Sequence, residues 1–233
     1  MTTQEIIIHL SSLTPRLGFD LSKVEQGSTE WLISKLGVLS ASNVEKILAG
    51  KTTQGRQTYM AELVAQVCTG EMPELDAKQL RWGRDHEAAA RSAYEFATGE
   101  TIEQVPFIFK DDSMRVGCSP DGLIKGKNKG LELKCPFSTK VYIEFLTCDK
   151  IKPEYVKQCQ FSMWITGASE WDFANYDPRM NKNMIKIVTL KRDEEMMKEF
   201  DVAVPAFIDD MDKMLKKAGF SFGDQWQQIK KAA

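Results

Sequence analysis

The stretch Gly130-Leu131-Glu132-Leu133-Lys134-Cys135 alternates apolar and charged side chains, with a Lys/Gly/Asn-rich turn (125–130) ahead of it and Pro136 behind it. Successive side chains on a strand point to opposite faces, so Leu131, Leu133 and Cys135 share one face while Glu132 and Lys134 share the other. That pattern commits the chain to a sheet with a buried apolar side. The tight turn makes the preceding strand, 121–124, pair antiparallel with this one and brings Asp121 beside Glu132. A lone Glu-x-Lys also fits the solvated face of an edge strand, with Asp121-Gly122 an ordinary turn. The added Ser119-Pro120-Asp121-Gly122, the short hairpin and the apolar alternation favour a built site.

Hydrophobic spacing and turn residues supply the surroundings. Helices are predicted over 28–35, over 44–49 with Ser40-Ala41-Ser42-Asn43 as an N-cap, and over 56–68 with a stop at Gly70. A longer helix is predicted over 77–98, with Leu80, Trp82, Ala89, Ala93 and Phe96 as its apolar positions and Gly99 closing it. The first ten residues are expected to fray. Strands are predicted over 101–109, 116–118, 121–124, 130–135, 171–176 and 184–190, with a helix over 153–165. Asp193 should cap a closing helix that reaches Ala218 and bends at Pro205. The class is α/β, a central mixed β-sheet flanked by helices. We read 1–233 as a single domain, with a helical N-terminal part at about 24–99 and the catalytic sheet and helices at about 101–226.

Composition narrows the chemistry. Only His9 and His86 are available, and five cysteines fall in no Cys-x-x-Cys pair, so histidine-based zinc sites and Ser-His or Cys-His nucleophiles have little material. Hydrolysis must lean on carboxylates, lysine and a hard metal. No apolar run approaches the ~20 residues that span a bilayer, and Ile6-Ile7-Ile8-His9-Leu10 is too short for a signal-peptide core; with reduced thiols, this points to the cytoplasm and no membrane partner. The net charge of −2 argues against a uniformly basic nucleic-acid binder, yet lysines 125, 127, 129, 134 and 140 cluster while 193–212 is rich in acids. A local basic face is compatible with that balance.

Two carboxylates and a lysine on one hairpin suit Mg²⁺, which prefers oxygen ligands and keeps several waters; the Leu133 carbonyl offers a further donor. Such a centre serves phosphodiester hydrolysis, with Lys134 orienting or deprotonating the attacking water.

The segments GCSPDGL (117–123), GLELKCPF (130–137), FSMWITGASEWDFANYDPRM (161–180), AQVCTG (65–70) and GFSFGDQW (219–226) closely resemble the alkaline, lambda-type exonuclease branch of the PD-(D/E)xK nuclease superfamily. The resemblance runs from about residue 24 to 226 and implies a restriction-endonuclease-like core. It further implies a Mg²⁺-dependent, processive 5′→3′ exonuclease that degrades one strand of linear double-stranded DNA from a 5′-phosphorylated end, with Mn²⁺ able to replace Mg²⁺ and two ions per site. A homotrimeric ring, a single-strand annealing recombinase partner and a phage or prophage origin in a bacterial host belong to the same expectation.

Carried over residue by residue, the resemblance makes Asp121, Glu132 and Lys134 catalytic. It adds Glu87, touching metal directly or through water, and Gln158, with Gln160 as the alternative assignment. The metal set is Asp121, Glu132, the Leu133 carbonyl and Glu87. Lys35, Ser42, Ser119 and Lys140 fall on the 5′-phosphate pocket, where the lambda-type pattern has arginine at both basic positions; lysine keeps the charge but lacks the bidentate fork. Trp31 falls on a base-stacking position and Leu80 on a strand-separating wedge. From the residues alone, Glu87 reads equally as an ion pair with Arg91, Trp31 and Leu80 as core, and the pocket residues as solvated or turn residues. Asp177-Pro178-Arg179 reads as a turn or a subunit contact. A monomeric endonuclease with the same core and a non-enzymatic DNA-end-binding scaffold remain as rival readings, separable by closed circular DNA and by Mg²⁺-dependent nucleotide release.

Overall fold

The computed structural model describes residues 2–71, 78–148 and 150–227, without the side chains of residues 78–80 and of Arg84. The chain opens on a helix, α1 (Thr3–Ser12), where fraying was expected. Thr2 and Glu5 form a capping box, and Ile6 and Leu10, one turn apart, are buried in the core. After α2 (Thr14–Leu17), Ser28 caps α3 (Thr29–Ser34) by accepting from the Trp31 N–H. A short strand β1 (Leu39–Ser40) leads through a 3₁₀ turn at Ala41–Asn43 into α4 (Val44–Leu48). The predicted cap there is not formed: neither Ser40 nor Asn43 makes a side-chain capping bond, and the side chains of Ser40, Ser42 and Asn43 bond to one another instead. Next, α5 (Gln54–Thr69) ends on Gly70, whose φ of +73° suits glycine.

The buried side of α6 (Lys78–Thr98) differs from the predicted one. Ala90 and Tyr94 are buried, whereas Ala89 is exposed and Phe96 is 92% exposed. Tyr94 sets the rotation, since its hydroxyl donates to the buried Asp172 at 2.6 Å. The strand predicted over 101–109 splits into β2 (Ile102–Glu103) and β3 (Ile108–Phe109), which join different sheets. Pro106 lies between them and has no N–H to give a ladder.

Strands β4 (Val116–Cys118), β5 (Gly122–Ile124) and β6 (Lys129–Lys134) follow as predicted, within a residue or two. Helix α7 (Thr139–Cys148) has no counterpart in the sequence reading. Then come α8 (Pro153–Thr166), β7 (Glu170–Tyr176), β8 (Ile185–Lys191) and α9 (Glu194–Ala218). Asp193 caps α9 through the N–H groups of Glu195 and Met196, and the helix continues through Pro205.

Two sheets form where one was expected. The larger is mixed and five-stranded, in the order β2-β5-β6-β7-β8, and the smaller has the order β1-β4-β3. Strand β6 lies between antiparallel β5 (Gly122↔Leu131) and parallel β7 (Glu132↔Phe173, Lys134↔Asn175). Its Glu-x-Lys therefore lies on an interior strand, which removes the edge-strand reading. Leu131 and Leu133 pack with Ala90, Tyr94, Ala174 and Tyr176 beneath α6, while on the opposite face Phe173 stacks against Tyr155 of α8. Gly130 is needed at the start of β6, because a Cβ there would lie 2.3 Å from the Trp171 ring. Among the described residues no helix is long and apolar enough to cross a membrane.

Candidate active site

Asp121 is fastened to β6 twice. Its N–H donates to the Leu131 carbonyl at 3.2 Å, and its Oδ2 accepts from the Leu133 N–H at 2.5 Å. Next to it Glu132, only 3% exposed, accepts on Oε1 from both the Lys134 ammonium and the Gln158 Nε2, the latter at 2.7 Å. The Lys134 Nζ lies 5.2 Å from the centroid of Tyr155. The hairpin and the face of α8 thus bring Asp121, Glu132, Lys134 and Gln158 together. Gln160, the alternative, is engaged elsewhere: it donates to the Lys191 carbonyl at 2.7 Å and accepts from the Asp193 N–H at 2.9 Å.

Glu87 forms the expected i,i+4 pair with Arg91, at 2.7 Å. The pair is not merely a surface one, because Arg91 Nε also donates to the Asp121 carbonyl at 3.3 Å and so attaches α6 to the centre. Arg91 and Tyr155 had no assigned role in the sequence. The i+4 spacing to Glu87 was the only signal for Arg91, and nothing marked Tyr155.

Electrostatics follow from crowding. Burial and the neighbouring Glu132 push the Asp121 carboxyl well above the usual aspartate range, against the pull of Lys134. Burial alone would lower the Lys134 pKa, but Glu132 and Asp121 outweigh it and hold the ammonium firmly protonated. Once Asp121 is ionised, the carboxylates of Asp121, Glu132 and Glu87 outnumber the nearby cations Lys134 and Arg91, which leaves an excess of negative charge. Among the described residues no group of three or more His, Cys, Asp or Glu side chains gathers as a metal cage. A pair of carboxylates with a main-chain carbonyl nearby and surplus negative charge fits a hard, partly hydrated cation such as Mg²⁺.

The residues expected to hold a 5′-phosphate fall into two groups. Strands β1 and β4 run parallel with Ser40 opposite Gly117, so Ser42 and Ser119 each follow two residues further at the same end of the pair. The Ser119 Oγ is buried with no hydrogen-bond partner among the described residues. Lys35 sits 3.4 Å over the Trp31 ring, and burial lowers its pKa to about 8. Trp31 donates its indole N–H to the Pro106 carbonyl at 2.7 Å, so the lysine covers its face and its edge is fixed. Lys140 stands apart on α7, 83% exposed, within 3.7 Å of Glu144. The side chain of Leu80 lies outside the described residues.

The chain matches the model of the YqaJ-like viral recombinase domain over residues 30–169. The chain belongs to the YqaJ-like viral recombinase family. An alkaline exonuclease of Laribacter hongkongensis is 32% identical to this YqaJ-like chain, over 88% of it and 100% of the relative, with a TM-score of 0.75. The TM-score to the same enzyme in complex with dAMP is 0.76. The uncharacterized ExoD protein of Escherichia coli K12 is 47% identical over 79 residues, 34% of this chain and 91% of that protein. A phage-related exonuclease of Haemophilus somnus, 13% identical with a TM-score of 0.61, shares the fold. The sequence resemblance to alkaline exonucleases is borne out, and these homologues indicate that the YqaJ-like chain is a nuclease.

Proposed function

We propose that the protein is a Mg²⁺-dependent 5′→3′ exonuclease that digests one strand of linear double-stranded DNA from a 5′-phosphorylated end. The exposed 3′ strand would feed recombination by single-strand annealing. The observation that carries this reading is the convergence of Asp121, Glu132, Lys134 and Gln158 on one hairpin and one helix face.

Asp121, Glu132 and the Leu133 carbonyl would hold the cation, with Glu87 contributing directly or through water. When bound, Mg²⁺ supplies charge to polarise the scissile phosphate and to stabilise the leaving 3′ oxygen. Lys134, held protonated by its two acidic neighbours, orients the attacking water and offsets phosphate charge; a role as proton acceptor requires one of those carboxylates to be drawn away. Gln158 fixes Glu132 from α8 through Oε1, and the other oxygen of that carboxylate would be the one to face a cation.

The end-phosphate contact would come from Lys35, Ser42, Ser119 and Lys140. The Ser119 Oγ, buried without a partner among the described residues and two residues from Asp121, supports an anion site here, since a buried hydroxyl without a partner is costly. Trp31 and Leu80 would meet the terminal base and the strand junction. A trimeric ring around DNA, in a cytoplasmic setting and with an annealing recombinase as partner, completes the proposal; a ring lined by lysines would reconcile DNA binding with a net charge of −2.

The test is digestion of linear duplexes labelled at the 5′ or the 3′ end, with and without 5′-phosphate, beside closed circular DNA. We expect Mg²⁺-dependent release of 5′ label, faster from phosphorylated ends, and no cutting of circles. Release of 3′ label first, or nicking of circles, would overturn the assignment. Sedimentation in solution tests the trimer separately.

A further inference from the structure

Arg179 joins the two flanks of the candidate centre, although it touches none of the residues assigned there. The Asp177 side chain has no exposed surface, and Arg179 meets it with a fork: Nε to Oδ1 at 2.7 Å and Nη2 to Oδ2 at 2.8 Å. Two of the three remaining donors go to main chain. Nη1 donates to the Phe137 carbonyl and Nη2 to the Pro136 carbonyl, each at 2.9 Å. These carbonyls lie two and three residues beyond Lys134, where the chain leaves the catalytic strand.

The guanidinium also lies over Trp82 of α6, 4.6 Å from the ring centroid, and Phe137 meets the same indole edge-on at 6.0 Å. His86, the residue before Glu87, packs on Trp82 at 3.9 Å. Asp177 is further bonded to Thr139, the first residue of α7 and the neighbour of Lys140. The Arg179–Asp177 pair thus spans α6, the exit of β6 and the start of α7.

Neutralising a buried carboxylate needs only one cation. Two further donors placed on consecutive carbonyls need the planar, five-donor guanidinium, which an ammonium cannot imitate. We propose that Arg179, locked by Asp177, is a positioning residue that fixes residues 136–140 and through them the hold of Lys140 on a DNA 5′-phosphate. This rests on the end-directed nuclease reading above. Arg179 moves no proton and touches no substrate; it sets where the pocket's second lysine stands.

The test compares kcat/KM on linear duplexes with 5′-phosphate and 5′-hydroxyl ends for the full-length wild type, Arg179→Lys, Lys140→Ala and the double variant. Arg179→Lys keeps the countercharge for Asp177 but loses the fork. We expect it to cut the phosphate-to-hydroxyl ratio about tenfold while rates on hydroxyl ends stay within about twofold, and to add nothing in the Lys140→Ala background. If Arg179→Lys fails to fold, Asp177→Asn, which loosens the same fork, is expected to give the same loss. An unchanged ratio, or equal losses on both ends, would overturn the proposal and leave the nuclease reading intact. A Lys140→Ala variant that discriminates normally would overturn this inference and leave the end-directed reading intact, whereas a wild type that ignores the 5′-phosphate would overturn the phosphate preference on which this inference rests.

Discussion

Gln158 donates its amide to Glu132 Oε1 at 2.7 Å, on the same oxygen that accepts the Lys134 ammonium. A buried carboxylate is held in this way by one neutral and one charged donor, from a helix and from its own strand. Residues that orient a metal-site carboxylate typically matter about 10–100-fold in metal affinity or activity when removed. Gln158→Ala should therefore slow Mg²⁺-dependent nucleotide release by that order and raise the Mg²⁺ needed for half-maximal rate, with little change in thermal midpoint. Full activity at unchanged Mg²⁺ demand would remove Gln158 from the site.

Asp121 gives a prediction in which activity and stability move apart. Its carboxyl is pushed above the ordinary aspartate range by burial and by Glu132, so in the metal-free protein the folded state holds that proton more tightly than the unfolded chain. The contribution to stability is present at low pH and is lost as pH rises from the unfolded aspartate pKa through the raised folded one. Asp121→Asn should abolish hydrolysis yet match or exceed the wild-type thermal midpoint at pH 7 to 8 in EDTA. Added Mg²⁺ should raise the midpoint of the wild type and not of the variant, as expected for a ligand that binds the folded state alone. A variant that unfolds more readily than wild type in EDTA would contradict this account.

A second buried acid has a purely architectural part. Asp172, 3% exposed, accepts from Tyr94 at 2.6 Å and Thr189 at 2.5 Å and pairs with Lys129 at 2.9 Å. Breaking a buried pair by removing one partner costs roughly 3–5 kcal/mol, so Asp172→Ala should lower unfolding free energy by about that much in urea titration. Tyr94→Phe leaves the ion pair in place and should cost only about 1–3 kcal/mol, the penalty for a buried acceptor losing one donor. Equal effects of the two substitutions would show that the tyrosine, not the ion pair, carries the network.

The same tyrosine shows why some of the fold was legible in sequence and some was not. The period-two pattern of β6 and the turn before it placed Asp121, Glu132 and Lys134 together, because strand alternation is a local rule. The buried face of α6 was misread because Ala89, Ala90 and Ala93 are alike in sequence. What chooses between them is a hydrogen bond from Tyr94 to a residue 78 positions away. Pro106 was visible, but its effect, sending β2 and β3 to separate sheets, depends on partners elsewhere in the chain. Within the candidate site, the Gln158 or Gln160 choice rested on resemblance until the helix face was known, and Arg91's reach to the Asp121 carbonyl is a tertiary contact with no periodic signature.

Lys35 makes the end-phosphate pocket testable by pH. Burial against Trp31 lowers its pKa to about 8, below that of an ordinary lysine. Because the folded pKa lies below the unfolded one, the folded state binds fewer protons between about pH 8 and the ordinary lysine range, and this group's contribution to stability rises with pH through that window. Binding runs the other way: a 5′-phosphate needs the ammonium, and the free protein loses it as pH rises through about 8. The kcat/KM advantage of phosphorylated over hydroxyl ends should therefore decline between pH 7 and 9, with a midpoint near the Lys35 value. Arginine stays charged throughout this range. Lys35→Arg should keep the advantage flat across the same interval, and its bidentate fork should enlarge it. A wild-type advantage that does not change with pH, or one that falls equally in Lys35→Arg, would place the phosphate contact on other groups.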